Sequence, residues 1–259
     1  MGRLRIGVML ESLRLPPRDA ILKASEIGLE GIQFFATGGE LSPQNLSRSG
    51  RKDLLKLLED NRLEVSAVCS DFGRGFTDPR TVDELIAKTK PIIELSCEIG
   101  SGIVTSHIGV IPEDKHSKVW ETLSEALTEL GKYCDNLEAS FACETGPEHP
   151  KLMREFIESL DTDGIAVNYD PANLVMNGFD PVEGVVILGS YIVHTHAKDG
   201  YRKDGKRGEV PLGEGQVNFA EYVDALDEIY YEGFYTIERE TGTDPISDIV
   251  KAKKFLERF

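Results

Sequence analysis

The chain of 259 residues has no apolar run approaching the roughly 18 residues that a membrane-spanning helix requires. It is also poor in cysteine. Cys69, Cys97, Cys134 and Cys143 contain no CxxC pair, which argues against a zinc cluster or a disulfide framework and leaves buried thiols. Positive charge is scarce: 29 Lys and Arg face 45 Asp and Glu, for a formal net charge of −16. Such a surface repels nucleic-acid phosphates and anionic lipid, so neither nucleic acid nor a membrane is an expected partner. A local basic cluster can still receive an anionic small molecule. No GxGxxG follows the first apolar run, which argues against a dinucleotide-binding open sheet. Low-complexity segments, linkers and residue-level repeats are absent too.

What is present is an alternation. Short apolar or β-branched runs alternate with amphipathic stretches of 10–20 residues, the pattern of βαβ units around a parallel sheet. Strands are expected at Arg5–Leu10, Gly31–Phe35, Glu64–Cys69, Ile103–His107, Ser140–Glu144, Ile165–Tyr169, Tyr191–His196 and Tyr235–Glu238. Helices are expected near 17–28, 51–61, 81–99, 117–135, 148–160, 182–189, 218–230 and 244–258. Leu123, Leu127 and Leu130 carry the apolar spacing of an outer barrel helix. Asp78-Pro79, Ser42-Pro43, Asp180-Pro181 and Asp244-Pro245 fit loop or helix-start positions. The opening Met1–Leu10 is basic and then apolar, but the apolar part is short and no small-residue cleavage site follows. It reads as a first strand rather than a signal peptide, with the cytosol as the expected compartment. The expectation is an α/β fold, a single (β/α)8 TIM barrel over residues 1–259, a length typical of that fold.

In such a barrel the site lies at the C-terminal ends of the strands. Strand five ends at Glu144, strand six at Asp170, strand seven at His196 and strand eight at Glu238. Four consecutive strands therefore deliver a metal-capable side chain to one rim. Three carboxylates and one imidazole suit Mn²⁺, Mg²⁺ or Co²⁺, with Zn²⁺ also admitted, so one divalent ion is the expected cofactor. Taken singly, Asp170 before Pro171 is equally a helix cap. Glu240 shares the face of Glu238 and rivals it as a ligand. His194 shares the face of His196, one layer deeper, and is either a hydrogen-bonded core histidine or a residue orienting the ligands from behind. His107 ends strand four and is either a contact for a substrate hydroxyl or a structural histidine. Arg202, Lys203, Lys206 and Arg207 put four basic residues within six. That segment reads as a mobile loop able to clamp a phosphate or carboxylate, or as an ordinary solvated loop.

Glu144-Thr145-Gly146-Pro147-Glu148, Asn168-Tyr169-Asp170-Pro171-Ala172-Asn173, His194-Thr195-His196-Ala197-Lys198-Asp199, Leu212-Gly213-Glu214-Gly215 and Ile237-Glu238-Arg239-Glu240 resemble the sugar phosphate isomerase/epimerase superfamily. This is the xylose-isomerase-like barrel group, with ketose 3-epimerases, inosose dehydratases, hydroxypyruvate isomerases and type IV apurinic endonucleases. The resemblance spans the chain in layout and is strongest from 139 to 241. It implies Glu144, Asp170, His196 and Glu238 as ligands of the metal, and Glu144 and Glu238 as a two-faced acid/base pair. It also implies substrate contacts at Asn173 and in the motif carrying Lys198 and Asp199, beside His107, Arg202 and Arg207, which strand position and the basic cluster suggest. One departure is Asn173, which stands where many relatives carry a histidine and can offer a substrate hydroxyl only an amide.

The chemistry implied is isomerisation or epimerisation of a small sugar, ketose or sugar phosphate. A proton is removed next to a carbonyl, and a divalent ion stabilises the resulting enediolate. A polyol or inosose dehydratase on the same site and a sugar-binding barrel without turnover are the alternatives. The trinuclear zinc site of an apurinic endonuclease needs more histidine than His107, His116, His149, His194 and His196 supply. A homo-oligomer is compatible with the sequence.

Overall fold

The computed structural model describes residues 3–259. Eight parallel strands close into a barrel: β1 (Arg5–Met9), β2 (Gly31–Phe35), β3 (Glu64–Cys69), β4 (Ile103–Ser106), β5 (Ser140–Glu144), β6 (Ile165–Tyr169), β7 (Ile192–Ala197) and β10 (Phe234–Ile237). Their order around the ring is β1-β10-β7-β6-β5-β4-β3-β2, so neighbours in the sequence are neighbours in space, except that a separate hairpin intervenes between β7 and β10. Each expected strand matches an observed one within a few residues.

The outer layer is helical: α1 (Pro17–Ile27), α2 (Arg48–Asp60), α3 (Val82–Glu98), α4 (Lys118–Asp135), α5 (Pro150–Glu158), α6 (Pro171–Asn177), α7 (Pro181–Leu188), α8 (Phe219–Glu228) and α9 (Pro245–Leu256). Leu123, Leu127 and Leu130 of α4 are fully buried. The Asp-Pro signals act as read: Asp180 and Asp244 accept hydrogen bonds from first-turn amides of α7 and α9, each with proline next in the helix. Helix α2 starts three residues before the expected 51, because the Ser47 hydroxyl caps it by accepting from the Gly50 amide. Helix α6 lies outside the expected helical stretches, and Asp170 starts it as the cap that Asp170-Pro171 also suggests. Among the described residues no helix is long and apolar enough to cross a membrane.

A second departure is the segment read as a mobile loop. It is an antiparallel hairpin, β8 (Asp199–Lys203) and β9 (Lys206–Val210). Asp204 and Gly205 both have positive φ, 51° and 74°, the conformation of a type I′ turn that matches strand twist and favours Asp-Gly. Two carboxylates fix the hairpin. At its base, Asp199 is 1% exposed. Its Oδ1 accepts from the amides of Gly200 and Val217, and its Oδ2 from those of Gly213 and Gly215. On β9, Glu209 accepts from Arg239 Nη1 and from the amides of Glu240 and Thr241. The hairpin is thus tied to the segment that follows β10.

The barrel interior carries a polar layer beneath its C-terminal mouth. Gln33, Ser66, Thr105, Asn168, His194 and Thr236 are all buried there and bond to one another across the ring. His194 Nδ1 donates to Asn168 Oδ1 at 2.7 Å, and its Nε2 accepts from the Thr236 hydroxyl at 2.9 Å. Gln33 Nε2 donates to Thr105 Oγ1 at 2.8 Å. Strand register shifts at Ile32/Gln33 and at Val167/Asn168; irregularities of this kind re-aim side chains next to functional sites.

Asp199→Ala leaves four amides without their acceptor. The expected loss is about 2–4 kcal/mol of stability, measured by urea denaturation. Unchanged stability would show that the carboxylate does not hold the hairpin base.

Candidate active site

Glu144 is the last residue of β5, Asp170 follows β6, His196 lies near the end of β7 and Glu238 follows β10. Their ligand atoms all lie within 4.8 Å of one another. His196 Nδ1 is 3.7 Å from Glu144 Oε1, 3.7 Å from Asp170 Oδ2 and 3.3 Å from Glu238 Oε2. Glu144, Asp170 and His196 are buried and Glu238 is nearly so. Asp170 Oδ2 and His196 Nδ1 have no hydrogen-bond partner. Buried polar atoms are otherwise almost always satisfied, so two orphans aimed into one cluster of carboxylates fit a bound cation.

Each member is held from behind. Asp170 does two jobs: Oδ1 caps α6 by accepting from the Ala172 and Asn173 amides, while Oδ2 faces the cluster. The cap reading and the ligand reading of this residue are therefore compatible. Glu144 Oε2 accepts from Asn168 Nδ2 at 3.0 Å, and Oε1 from Asn173 Nδ2 at 3.0 Å. His194 stands behind Asn168 rather than in the cluster. Burial, with repulsion from His196, holds its imidazole well below the ordinary range, so it works as a neutral hydrogen-bonding core residue. Gln33 Oε1 lies 3.0 Å from His196 Nε2. Donation from Nε2–H to this oxygen leaves the Nδ1 lone pair free for the cluster, the tautomer a metal ligand needs.

Electrostatics follow from this crowding. Burial alone would depress the His196 imidazole, but Glu238 and Glu144 overcome it and hold the value well above the usual range. Burial raises Glu144, with help from Glu238 and Asp170. In Glu238, burial is outweighed by His196 and Lys198, which hold the carboxylate ionised.

The remaining candidates separate. His107 stands at the mouth, 52% exposed, with Nε2 3.4 Å from Glu144 Oε1 and Nδ1 3.0 Å from Asp71 Oδ2. Glu144 and then Asp71 raise it to about 9 despite partial burial. Lys198 reaches the cluster, as does Asn173. Glu240 stays outside it, 58% exposed, its carboxylate 3.1 Å from Lys198 Nζ. Asp199 points to backbone amides, away from the cluster. Arg207 Nη1 donates to Asn177 Oδ1. Arg202 instead packs near Gly178 and lines a cavity of about 420 Å³ with Asp180 and Glu221 that includes no cluster residue.

Four contributors were missed in the sequence. Gln33 is the one amide in the otherwise apolar run Gly31–Phe35, and a lone amide on a buried strand is a detectable signal. Asp71 lies two residues past β3, where the strand-end criterion could have found it. Asn168 and Glu148 lay in quoted motifs without a role. Glu148, four residues past Glu144, is 7% exposed with Oε2 unpartnered.

With this geometry in place, comparison with known proteins is decisive for the family. Residues 21–259 match the family described as xylose isomerase-like TIM barrel. The chain belongs to this family. An uncharacterized protein of Methanocaldococcus jannaschii is 28% identical, over 91% of this chain and 80% of that protein. Fructoselysine 3-epimerase of Shigella flexneri is 24% identical over 95% and 93%. Inosose dehydratase of Clostridium tetani is 26% identical over 53% and 54%, about half of each chain. Among solved structures, a xylose isomerase domain protein from Planctomyces limnophilus superposes with a TM-score of 0.83 at 24% identity, covering 98% of this chain and 95% of that one. The zinc-bound IOLI protein superposes at 0.78 with 16% identity and 98% coverage of both. The xylose isomerase-like family thus places sugar epimerases and inosose dehydratases among this chain's relatives.

Two outcomes test the site. Gln33→Leu should weaken divalent-metal affinity about 10–100-fold, the usual effect of losing a ligand's orienting partner, as read by titration calorimetry; wild-type affinity would show that Gln33 does not set the His196 tautomer. Burial raises Glu148 from 4.5 to about 7, against donation from nearby amides. A raised folded-state value contributes stability that is complete below about pH 4.5 and is lost as pH rises through about 7, roughly 3 kcal/mol in all. Glu148→Gln should flatten that part of the stability–pH curve, and an unchanged slope would contradict the assignment.

Proposed function

We propose that the chain is a metal-dependent isomerase or epimerase of a small sugar, ketose or sugar phosphate. The observation that carries the reading is the convergence of Glu144, Asp170, His196 and Glu238, with buried, unpartnered Asp170 Oδ2 and His196 Nδ1 facing one another. These four residues would hold one divalent cation, which when bound polarises a substrate carbonyl and stabilises charge developing on its oxygen. The oxygen-rich set favours Mn²⁺, Mg²⁺ or Co²⁺, and the zinc of the IOLI protein supports admitting Zn²⁺.

Glu144 and Glu238 come from strands three places apart in a ring of eight. That separation suits one carboxylate on each face of a planar enediolate, one removing a proton and the other returning one. His107 and Asn173, both beside Glu144, are suited to substrate hydroxyls on that side. Arg207 belongs to a chain of hydrogen bonds running through Asn177 and Asn173 to Glu144, which supports it as the rim contact for an acidic substituent. Arg202 faces elsewhere and is a weaker candidate. The free thiols Cys69, Cys97, Cys134 and Cys143 fit a reducing compartment, and we assign the activity to the cytosol.

Likeness to inosose dehydratase supports a second reading, in which the same proton abstraction is followed by loss of a hydroxyl. Turnover of candidate ketoses in D₂O separates the two. The proposed reaction places solvent deuterium on the carbon next to the carbonyl, and Glu238→Gln abolishes epimerisation. A deoxy-keto product with release of water would establish the dehydratase. Full turnover without deuterium would exclude an enediolate in solvent exchange.

A further inference from the structure

Lysine is almost never fully buried unless paired, yet Lys198 is 3% exposed, two residues past His196. Its Nζ lies 2.8 Å from Glu238 Oε2, 3.5 Å from Asp170 Oδ2 and 3.1 Å from Glu240 Oε2. The first two oxygens belong to residues of the cluster. Asp170 Oδ2 is also one of its unpartnered atoms.

We infer that Lys198 is the second fixed positive charge of this centre: it opposes entry of the metal and favours the anionic state of the substrate. The inference rests on the metal reading above. Glu144, Asp170 and Glu238 bring three negative charges, and a divalent cation leaves one uncancelled. Lys198 cancels it. The nearby charges do not undo this count. His107 is paired with Asp71, and Glu240 approaches Lys198 from the solvent side, where water screens its charge. Proton abstraction places a new negative charge on substrate oxygen. A centre that is neutral at rest accepts that charge more readily than a negative one, because fixed charges in a water-poor site act on it at little reorganisation cost.

The same ammonium works against the metal. It hydrogen-bonds a Glu238 oxygen that a cation would use, and it repels the cation across a few ångströms. Removing it should therefore move two properties in opposite directions. A lysine that merely held Glu238 and Asp170 in place would move both the same way, since its loss would disorder the ligands and weaken everything bound to them.

The test is calorimetric titration of metal-stripped full-length protein with Mn²⁺, then of the Mn²⁺-loaded protein with acetohydroxamate, an anion whose two oxygens mimic an enediolate. In Lys198→Met the Mn²⁺ dissociation constant should fall by at least about tenfold, while acetohydroxamate binding should weaken by about tenfold or more. Lys198→Gln, also uncharged, should give the same pair of shifts should the methionine variant not fold. Lys198→Arg, which keeps the charge, should leave Mn²⁺ affinity within a few-fold of wild type. Mn²⁺ binding by the wild type with weaker or unchanged binding by the uncharged variants would overturn this inference alone. Failure of the wild type to bind Mn²⁺ would overturn the metal reading and this inference with it.

Discussion

The constraint on which this structure depends is the burial of three carboxylates around one imidazole. Two like charges about 4 Å apart repel by about 4 kcal/mol even at an effective dielectric constant near 20, and desolvation adds to that. Glu144, Asp170 and Glu238 crowd within this range. The protein neutralises part of the excess itself, with Lys198 against Glu238 and Asp170. What remains is a buried cluster whose orphan atoms, Asp170 Oδ2 and His196 Nδ1, converge on one point. A fold selected for stability alone would have little reason to retain it; replacing buried charges with apolar side chains is often neutral or favourable.

The barrel explains how the arrangement is held. Interior side chains of a barrel of this kind are usually bulky and apolar. Here the layer under the mouth is a hydrogen-bonded set running from Thr236 through His194 and Asn168 to Glu144, and from Thr105 through Gln33 to His196. Because these side chains sit on paired strands, Glu144 and His196 are each oriented by a neighbour whose own position is fixed by the ladder. The hairpin of β8 and β9 extends this control to the segment that carries Glu238. Glu209 binds Arg239 and the following amides, and Ser12 Oγ accepts from the Arg239 amide, so the residue after Glu238 is pinned from two sides.

Much of this was legible in the sequence. Eight alternating runs, strand-end polar residues and the motifs from 139 to 241 were enough for the barrel and for the four residues that converge. What escaped follows from physics that one chain does not display. Gln33 and Asn168 lie on strands read as apolar runs, and their bonds join residues 163 and 26 positions apart in the chain. Asp199, expected as a substrate contact, spends its carboxylate on backbone amides instead. The Asp204-Gly205 turn is a hairpin signal, whereas the four basic residues around it read as a mobile anion-clamping loop or a solvated one. Helix α6 escaped for a similar reason: Asp170-Pro171 is both a strand end and a helix start, and only the structure shows one carboxylate serving both.

The most direct measurement is a crystal structure of the protein grown with Mn²⁺ and soaked with a ketose, phased to show the anomalous signal of manganese. The account predicts one manganese peak, bonded to His196 Nδ1, to Asp170 Oδ2 and to the carboxylates of Glu144 and Glu238, with the sugar oxygens completing its coordination. A peak elsewhere, a coordination shell that omits His196, or sugar bound away from these four residues would contradict it.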